Sequence, residues 1–260
     1  MRLAVTTPLR PSPAEEAEAR ASAARHRLPF VARGRRATSE ALREAGADAL
    51  LVLSERGALL VAEGTERRWS AGMGFLRAKR LVAGGATDPT ARDPFLDAAD
   101  LREGDLVLDC TVGLGADALV AATAVGASGR VVGLEASPAL AAWVAEGLRR
   151  LDHPAAGRIE IRAADHALAL AAMPDRSFDV VLFDPMFRHA RAEPADFDVV
   201  RRLADPRPLS AEALARARRV ARRSVVVKDG APGWDLARLG LVPLPSARGA
   251  HRYYARVAAG

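Results

Sequence analysis

The chain has 260 residues, half of them hydrophobic and 27% charged, which excludes a disordered or collagen-like chain and suits a core domain with a smaller appendage. Its one cysteine, Cys110, rules out an intramolecular disulfide and a cysteine-based zinc cluster. The net charge of +6 is uneven: residues 1–100 carry 16 basic and 13 acidic side chains, residues 101–200 carry 9 and 15, and residues 201–260 carry 13 and 4.

Met1 to Pro8 lacks the apolar run of a signal peptide, and no stretch approaches the roughly 20 apolar residues of a membrane span, so a cytoplasmic protein with no membrane partner is expected. Ala14 to Arg27 follows Ser12-Pro13 and passes from early glutamates to a basic end, the charge order of a helix. Residues 49–55 and 58–62 read as two short strands around a turn at Arg56-Gly57. A small α+β domain is therefore expected over residues 1–85, with a hinge in Gly84-Gly85-Ala86-Thr87-Asp88-Pro89 and a second domain over 86–260.

From Gly104 strands and helices alternate. Strands are expected at Leu106–Asp109, Arg130–Glu135, Arg158–Ala163, Asp179–Phe183 and Ser224–Lys228, with helices at Ala116–Val125 and Pro138–Leu151. This α/β order predicts a mostly parallel, Rossmann-like sheet, closed by an antiparallel C-terminal hairpin of Leu241–Leu244 and Arg252–Val257.

Two segments carry chemistry. Asp109-Cys110-Thr111-Val112-Gly113-Leu114-Gly115-Ala116-Asp117 leads from a strand through a glycine turn into a helix, and Glu135 ends the next strand, where a carboxylate can accept both ribose hydroxyls. Gly113, Gly115 and Ala118 also satisfy the G-x-G-x-x-A pattern of a dinucleotide site. Asp109, however, puts a negative charge where a pyrophosphate would lie, and suits a cationic, phosphate-free ligand such as S-adenosylmethionine. Asp165, just past the third strand, stands where an adenine amino group would be held; read alone it is a helix cap.

The second segment is Asp184-Pro185-Met186-Phe187, at the carboxyl end of an apolar strand. The Asp184 carboxylate and the Pro185 carbonyl can accept both hydrogens of an exocyclic amine, and Phe187 offers a stacking face for a base. As an isolated tetrapeptide it also reads as a strand-ending turn with Met186 and Phe187 in the core. The five histidines, His26, His153, His166, His189 and His251, show no ligand spacing, so no metal is expected.

Together these strings, with Pro138, Glu146-Gly147-Leu148 and Val225-Val226-Val227-Lys228, resemble the class I methyltransferases of the RsmJ type, which methylate a guanine N2 amine of small-subunit ribosomal RNA. The similarity runs over roughly residues 85–260. It implies S-adenosylmethionine as cofactor, held by Asp109, Gly113, Gly115, Asp117, Glu135 and Asp165, and a target-amine site at Asp184, Pro185 and Phe187, with Lys228 near the same edge. It also implies ribosomal RNA or a pre-ribosomal particle as partner. Arginine clusters at Arg33-Gly34-Arg35-Arg36 and Arg216 to Arg223 would meet phosphates, or are ordinary solvated faces. Two departures from the family stand out: Arg188 replaces a usual proline, and Glu135-Ala136 a usual Glu-Arg pair. A protein side chain or a small molecule as acceptor, and an RNA-binding module with a residual cofactor pocket, are the alternatives.

Overall fold

The structure is a computed structural model that describes residues 1–62, 64–83, 93–185, 198–246 and 250–260, without the side chains of 198–200. The chain forms two compact units: Met1–Ser70 with Pro138–Asp152, and Ala71–Ser137 with His153–Gly260. The sequence reading put the boundary near residue 85 and left 138–151 in the second domain. The hinge expected at residues 84–89 lies outside the described residues.

The first unit is built on a five-stranded sheet in the order β2-β1-β3-β4-β5. Its strands are β1 (Leu3–Thr6), β2 (Phe30–Val31), β3 (Ala49–Ser54), β4 (Gly57–Ala62) and β5 (Thr65–Arg68). β1 pairs in parallel with β2 and β3, while β3, β4 and β5 form an antiparallel meander. Helix α1 (Pro13–His26) starts at a capping box: the Ser12 hydroxyl accepts from Glu15 N–H at 3.2 Å, and Glu15 Oε2 accepts from Ser12 N–H at 2.9 Å. A shorter helix, α2 (Thr38–Ala45), ends at Gly46, whose φ of 56° only glycine adopts readily.

The second unit opens with α3 (Met73–Val82) and α4 (Pro94–Ala99). A six-stranded sheet follows, made of β6 (Leu106–Asp109), β7 (Arg130–Glu135), β8 (Ile159–Ala163), β9 (Phe178–Phe183), β10 (Ala221–Gly230) and β11 (Arg252–Ala258). The order is β11-β10-β9-β6-β7-β8, parallel except for β11. Helices α5 (Ala116–Ala124), α7 (His166–Ala172), α8 (Asp198–Leu203), α9 (Ala211–Val220) and α10 (Trp234–Arg238) complete it; α6 (Pro138–Arg149), which follows β7 in the chain, belongs to the first unit.

On one face of the sheet Leu108, Val181, Phe183, Val225 and Val227 pack against Leu214 of α9 and Leu236 of α10. On α3, Gly74 lies so close to α5 that a Cβ there would stand 2.5 Å from the Ala116 carbonyl oxygen. The expected strand at Leu241–Leu244 does not form. Pro243 and Pro245 remove ladder donors there, and the hairpin is instead β10 with β11, joined through 231–251.

In α6 nearly every side chain is buried. Trp143 Nε1 donates to the Ala58 carbonyl at 3.2 Å, and the Trp69 ring covers Gly147. The fully buried Glu146 carboxylate is bonded by Arg25, by His26 at 2.9 Å and by Arg150 at 2.6 Å. The His26 hydrogen bond and the Arg150 and Arg25 guanidiniums hold it well below the usual carboxylate range, at about 2, against the upward push of burial.

Candidate active site

β6 and β9 are neighbours, and the connection from β6 runs one way, to β7, while that from β9 runs the other, to β10, which opens a crevice between their carboxyl ends, the usual ligand position in an open parallel sheet. The sequence-expected residues gather at this edge. Asp109 ends β6, Glu135 ends β7, Asp165 follows β8, Asp184 and Pro185 follow β9, and Lys228 lies near the end of β10.

The glycine turn links them. Asp109 Oδ1 accepts from Thr111 N–H at 3.1 Å, and Thr111 Oγ1 accepts from Asp184 N–H at 2.6 Å, so one threonine ties the ends of β6 and β9 together. Gly113 and Gly115 have φ of 51° and 80°, and a Cβ on Gly113 would meet nothing closer than 3.9 Å. The backbone therefore presents open space beside two buried acids, a cradle that a side chain would fill.

Those acids carry unusual charge. Asp109 is buried and, among the described residues, forms no ion pair. Burial pushes it up to about 7, opposed by the Thr111 hydrogen bond and aided by the neighbouring charges of Asp117 and Asp184. Glu135 is likewise pushed up to about 7 by burial, although the N–H groups of Ser137, Gly113 and Ala136 work against it. Two buried carboxylates that form no ion pair among the described residues fit a ligand that brings positive charge and hydroxyl donors. S-adenosylmethionine, with its sulfonium, α-ammonium and ribose groups, supplies both.

Asp117, expected from the resemblance to line the cofactor site, borders the same crevice. Both its oxygens are engaged: Oδ1 by Arg77 of α3, and Oδ2 by Lys228 Nζ at 2.8 Å. Burial raises its pKa, but the Lys228 and Arg77 charges outweigh this and leave it lowered. Arg77 in turn grips Asp93, the N-cap of α4, through two hydrogen bonds of 2.7 and 2.9 Å. Nothing in the sequence pattern singled out Arg77 or Asp93, since a lone arginine and an Asp-Pro cap look ordinary until the fold brings them to Asp117.

Lys228 also bonds the Asp184 carboxylate. A shallow crevice, open to solvent, lies over this pair and is lined by Asp109, Asp117, Phe95 and Tyr254 as well. Asp165 caps α7, accepting from Ala167 N–H at 2.8 Å, while its other oxygen pairs with Arg207. So the cap reading of Asp165 is realised at the crevice edge. Phe187, the third residue of the expected amine site, lies outside the described residues, as do Met186, Arg188 and His189.

The arginine cluster of α9 and β10 is not a free anion surface. Arg219 donates to Leu170 and Met173 carbonyls, Arg222 to Arg176 O at 2.7 Å and Asp179, and Arg223 to Asp105 and Asp100 O. Arg222 and Arg223 open β10, beside the start of β6 and β9, at the opposite edge of the sheet from Asp109 and Asp184. Arg33 and Arg36 likewise donate to each other's carbonyls. Among the described residues no three His, Cys, Asp or Glu side chains cluster to hold a metal ion, and no helix is long and apolar enough to cross a membrane.

Comparison with known proteins agrees with this crevice. The family model "Putative SAM-dependent methyltransferase" matches residues 78–238. The Bacillus subtilis (strain 168) "Uncharacterized protein YpiP" is 36% identical over 232 residues, covering 86% of this chain and 88% of its own. The Laribacter hongkongensis (strain HLHK9) "Ribosomal RNA small subunit methyltransferase J" is 39% identical over 166 residues, covering 60% of this chain and 56% of its own. A crystal structure of a SAM-dependent methyltransferase from Neisseria gonorrhoeae has the same fold, with a TM-score of 0.58 at 21% identity, over 98% of this chain and 95% of that one. The Rossmann-like fold, the acidic crevice and the family match converge: the chain belongs to the SAM-dependent methyltransferase family and uses S-adenosylmethionine as its cofactor.

Proposed function

We propose that the protein is a cytoplasmic N-methyltransferase of an exocyclic base amine, acting on guanine N2 in small-subunit ribosomal RNA. The observation that carries this reading is Asp184: its carboxylate stands at the carboxyl end of β9, fixed through its own N–H to Thr111 and through its side chain to Lys228, beside the glycine cradle. Similarity to small-subunit ribosomal RNA methyltransferases, at 39% and 33% identity over part of the chain, supports this substrate class.

The cofactor supplies an electrophilic methyl sulfonium. Asp109 would face its cationic part, Glu135 its ribose hydroxyls, Asp165 its adenine amine, and the Gly113 and Gly115 backbone would let it approach. Asp117 acts on this site through Lys228. The lone pair of a base amine is delocalised into the ring; the Asp184 carboxylate and Pro185 carbonyl accept its two hydrogens and favour a pyramidal nitrogen aimed at the methyl group. Once alkylated the nitrogen is acidic, and Asp184 takes the proton it sheds. Catalysis is then positioning and electrostatics rather than prior deprotonation.

Phosphate contact belongs to a different arginine from those the sequence suggested. Arg252 opens β11 opposite Gly230, two residues from Tyr254 on the same face of the strand, and Tyr254 lines the crevice. Its charge is felt at Asp184. An exposed cation at this rim suits the backbone of the target nucleotide.

The test is methylation of small-subunit particles, from a strain lacking the gene, with isotope-labelled cofactor, followed by nucleoside mass spectrometry. Labelled N2-methylguanosine is expected, and Asp184→Ala should abolish it while leaving cofactor binding intact. The partial coverage of the ribosomal RNA relatives and the internal pairing of the α9 and β10 arginines favour one second reading, a protein or small-molecule amine acceptor. Unlabelled particles beside labelled cell extract would establish it.

A further inference from the structure

The polar groups behind Asp184 form one alternating chain of charge drawn from five places in the second unit. Asp93 caps α4, Arg77 comes from α3, Asp117 from the first turn of α5, Lys228 from β10, and Asp184 from the exit of β9. Arg77 and Lys228 divide Asp117 between them, one oxygen each. Among the described residues only Lys228 pairs with both Asp117 and Asp184.

We propose that Lys228 is a positioning residue of methyl transfer: by bridging Asp117 and Asp184 it holds the Asp184 carboxylate ionised and oriented as acceptor of the substrate's amino hydrogens. This rests on the reading of Asp184 as the amine's partner. The other charged and titratable groups facing the pair are Asp109, Tyr254, Arg77 and Arg252. Arg77 is committed to Asp93 and Asp117, and Arg252 is exposed at the rim. Removing the Lys228 cation therefore leaves Asp109, Asp117 and Asp184 crowded in one pocket, with the half-buried Arg77 and the exposed Arg252 as the cations that remain near them among the described residues.

Like charges at this spacing are relieved by taking up a proton. Asp117 keeps its pairing with Arg77, whereas Asp184 loses the one ion-pair partner it has among the described residues. A protonated Asp184 presents a donor where an acceptor is needed, and it cannot receive the proton that the alkylated nitrogen releases. Burial and the Asp117 charge already raise Asp184, with Lys228 opposing them.

The decisive measurement is carboxyl carbon NMR of the full chain labelled at aspartate, with Asp184→Asn assigning the signal. In Lys228→Met the Asp184 signal should titrate at least one pH unit higher than in the native protein, and Lys228→Arg, which keeps the cation, should restore it. Unchanged titration in Lys228→Met, with calorimetry showing that the cofactor still binds, overturns the proposal. So does a variant that loses the cofactor at every pH, since Lys228 would then serve only the fold.

On small-subunit particles, Lys228→Met should lose at least tenfold in kcat at pH 7 and recover as the pH rises, with little change in KM. Lys228→Met combined with Asp184→Asn should be no slower than Asp184→Asn alone; an additive loss overturns the coupling. Native turnover by Asp184→Asn, beside the shifted NMR signal in Lys228→Met, would instead remove Asp184's assignment to the amine while leaving its control by Lys228 in place.

Discussion

Cofactor affinity should collapse on mild acidification, for a reason readable in two buried carboxylates. Asp109 and Glu135 each sit at about 7 in the free protein, and each must be ionised to meet an ammonium or two ribose hydroxyls. A group with that value is half protonated at pH 7 and about nine-tenths protonated at pH 6. The fraction ready to bind thus falls about 5-fold per group, or roughly 30-fold for the pair, equivalent to about 2 kcal/mol. The cofactor's own α-amino group, ordinarily at about 7.7–8.0, stays cationic over this range and does not blur the result.

Titration calorimetry between pH 5.5 and 7, in two buffers of different ionisation enthalpy, reads both the affinity and the protons released. About two should leave per cofactor bound at pH 6. Asp109→Asn should cut the pH dependence to about 5-fold over the same unit while weakening binding overall. The free protein should show the opposite trend in stability. These carboxyls keep protons that the unfolded chain releases, so stability falls as pH rises from the ordinary values of 3.8 and 4.5 through about 7. A flat affinity, or an enthalpy independent of buffer, would refute the placement of both acids against the cofactor.

In the first unit, Glu146 is held at about 2, so its contribution to stability is complete above its ordinary value of 4.5 and lost as pH falls toward 2; about 3 kcal/mol of acid sensitivity in urea melts should disappear in Glu146→Gln. That variant should also lose about 3–5 kcal/mol at pH 7, because Arg25 and Arg150 would face a buried neutral amide. Gly147→Ala would put a methyl group 2.0 Å from Trp69 Cδ2, and should cost about 1–3 kcal/mol of stability, read as a lower unfolding midpoint in urea. Arg252→Glu should raise KM for small-subunit particles several-fold and leave calorimetric cofactor affinity unchanged.

The catalytic sheet was legible because its strands are apolar runs bounded by glycine, proline and acids. Leu106–Asp109 and Arg130–Glu135 appear where the pattern put them, and Ser224–Lys228 only lengthens to Ala221–Gly230. The first unit was harder to read. β1 is four buried residues at the chain start, too short for a period, and it gains its partners from β2 and β3, 24 or more residues away. α6 reads in sequence as an ordinary crossover helix, and its membership of the first unit depends on Trp143 meeting Ala58 and Glu146 meeting Arg25, contacts that no local pattern encodes. At the site the motif residues were visible, whereas Arg77 and Asp93 were not, since their function arises only from closure onto Asp117.

The charge asymmetry of the chain takes its meaning from the two edges of the sheet. The acidic middle third supplies Asp109, Asp117, Glu135, Asp165 and Asp184 to the carboxyl edge, where a cationic ligand belongs. The basic last segment looked like its complement, a surface for an anionic substrate. Yet Arg219, Arg222 and Arg223 bind carbonyls and acids within the second unit, and the last two lie at the far edge. An arginine bonded to carbonyls or to a buried acid has its position fixed and part of its charge offset, so it adds little to phosphate affinity. Arg222→Ala with Arg223→Ala should therefore lower thermal stability, by leaving Asp105 and Asp179 without cations, and leave KM for small-subunit particles within about twofold of native. A large rise in KM from that pair, with native stability, would move the substrate surface to the amino edge and break the link between sequence charge and the crevice.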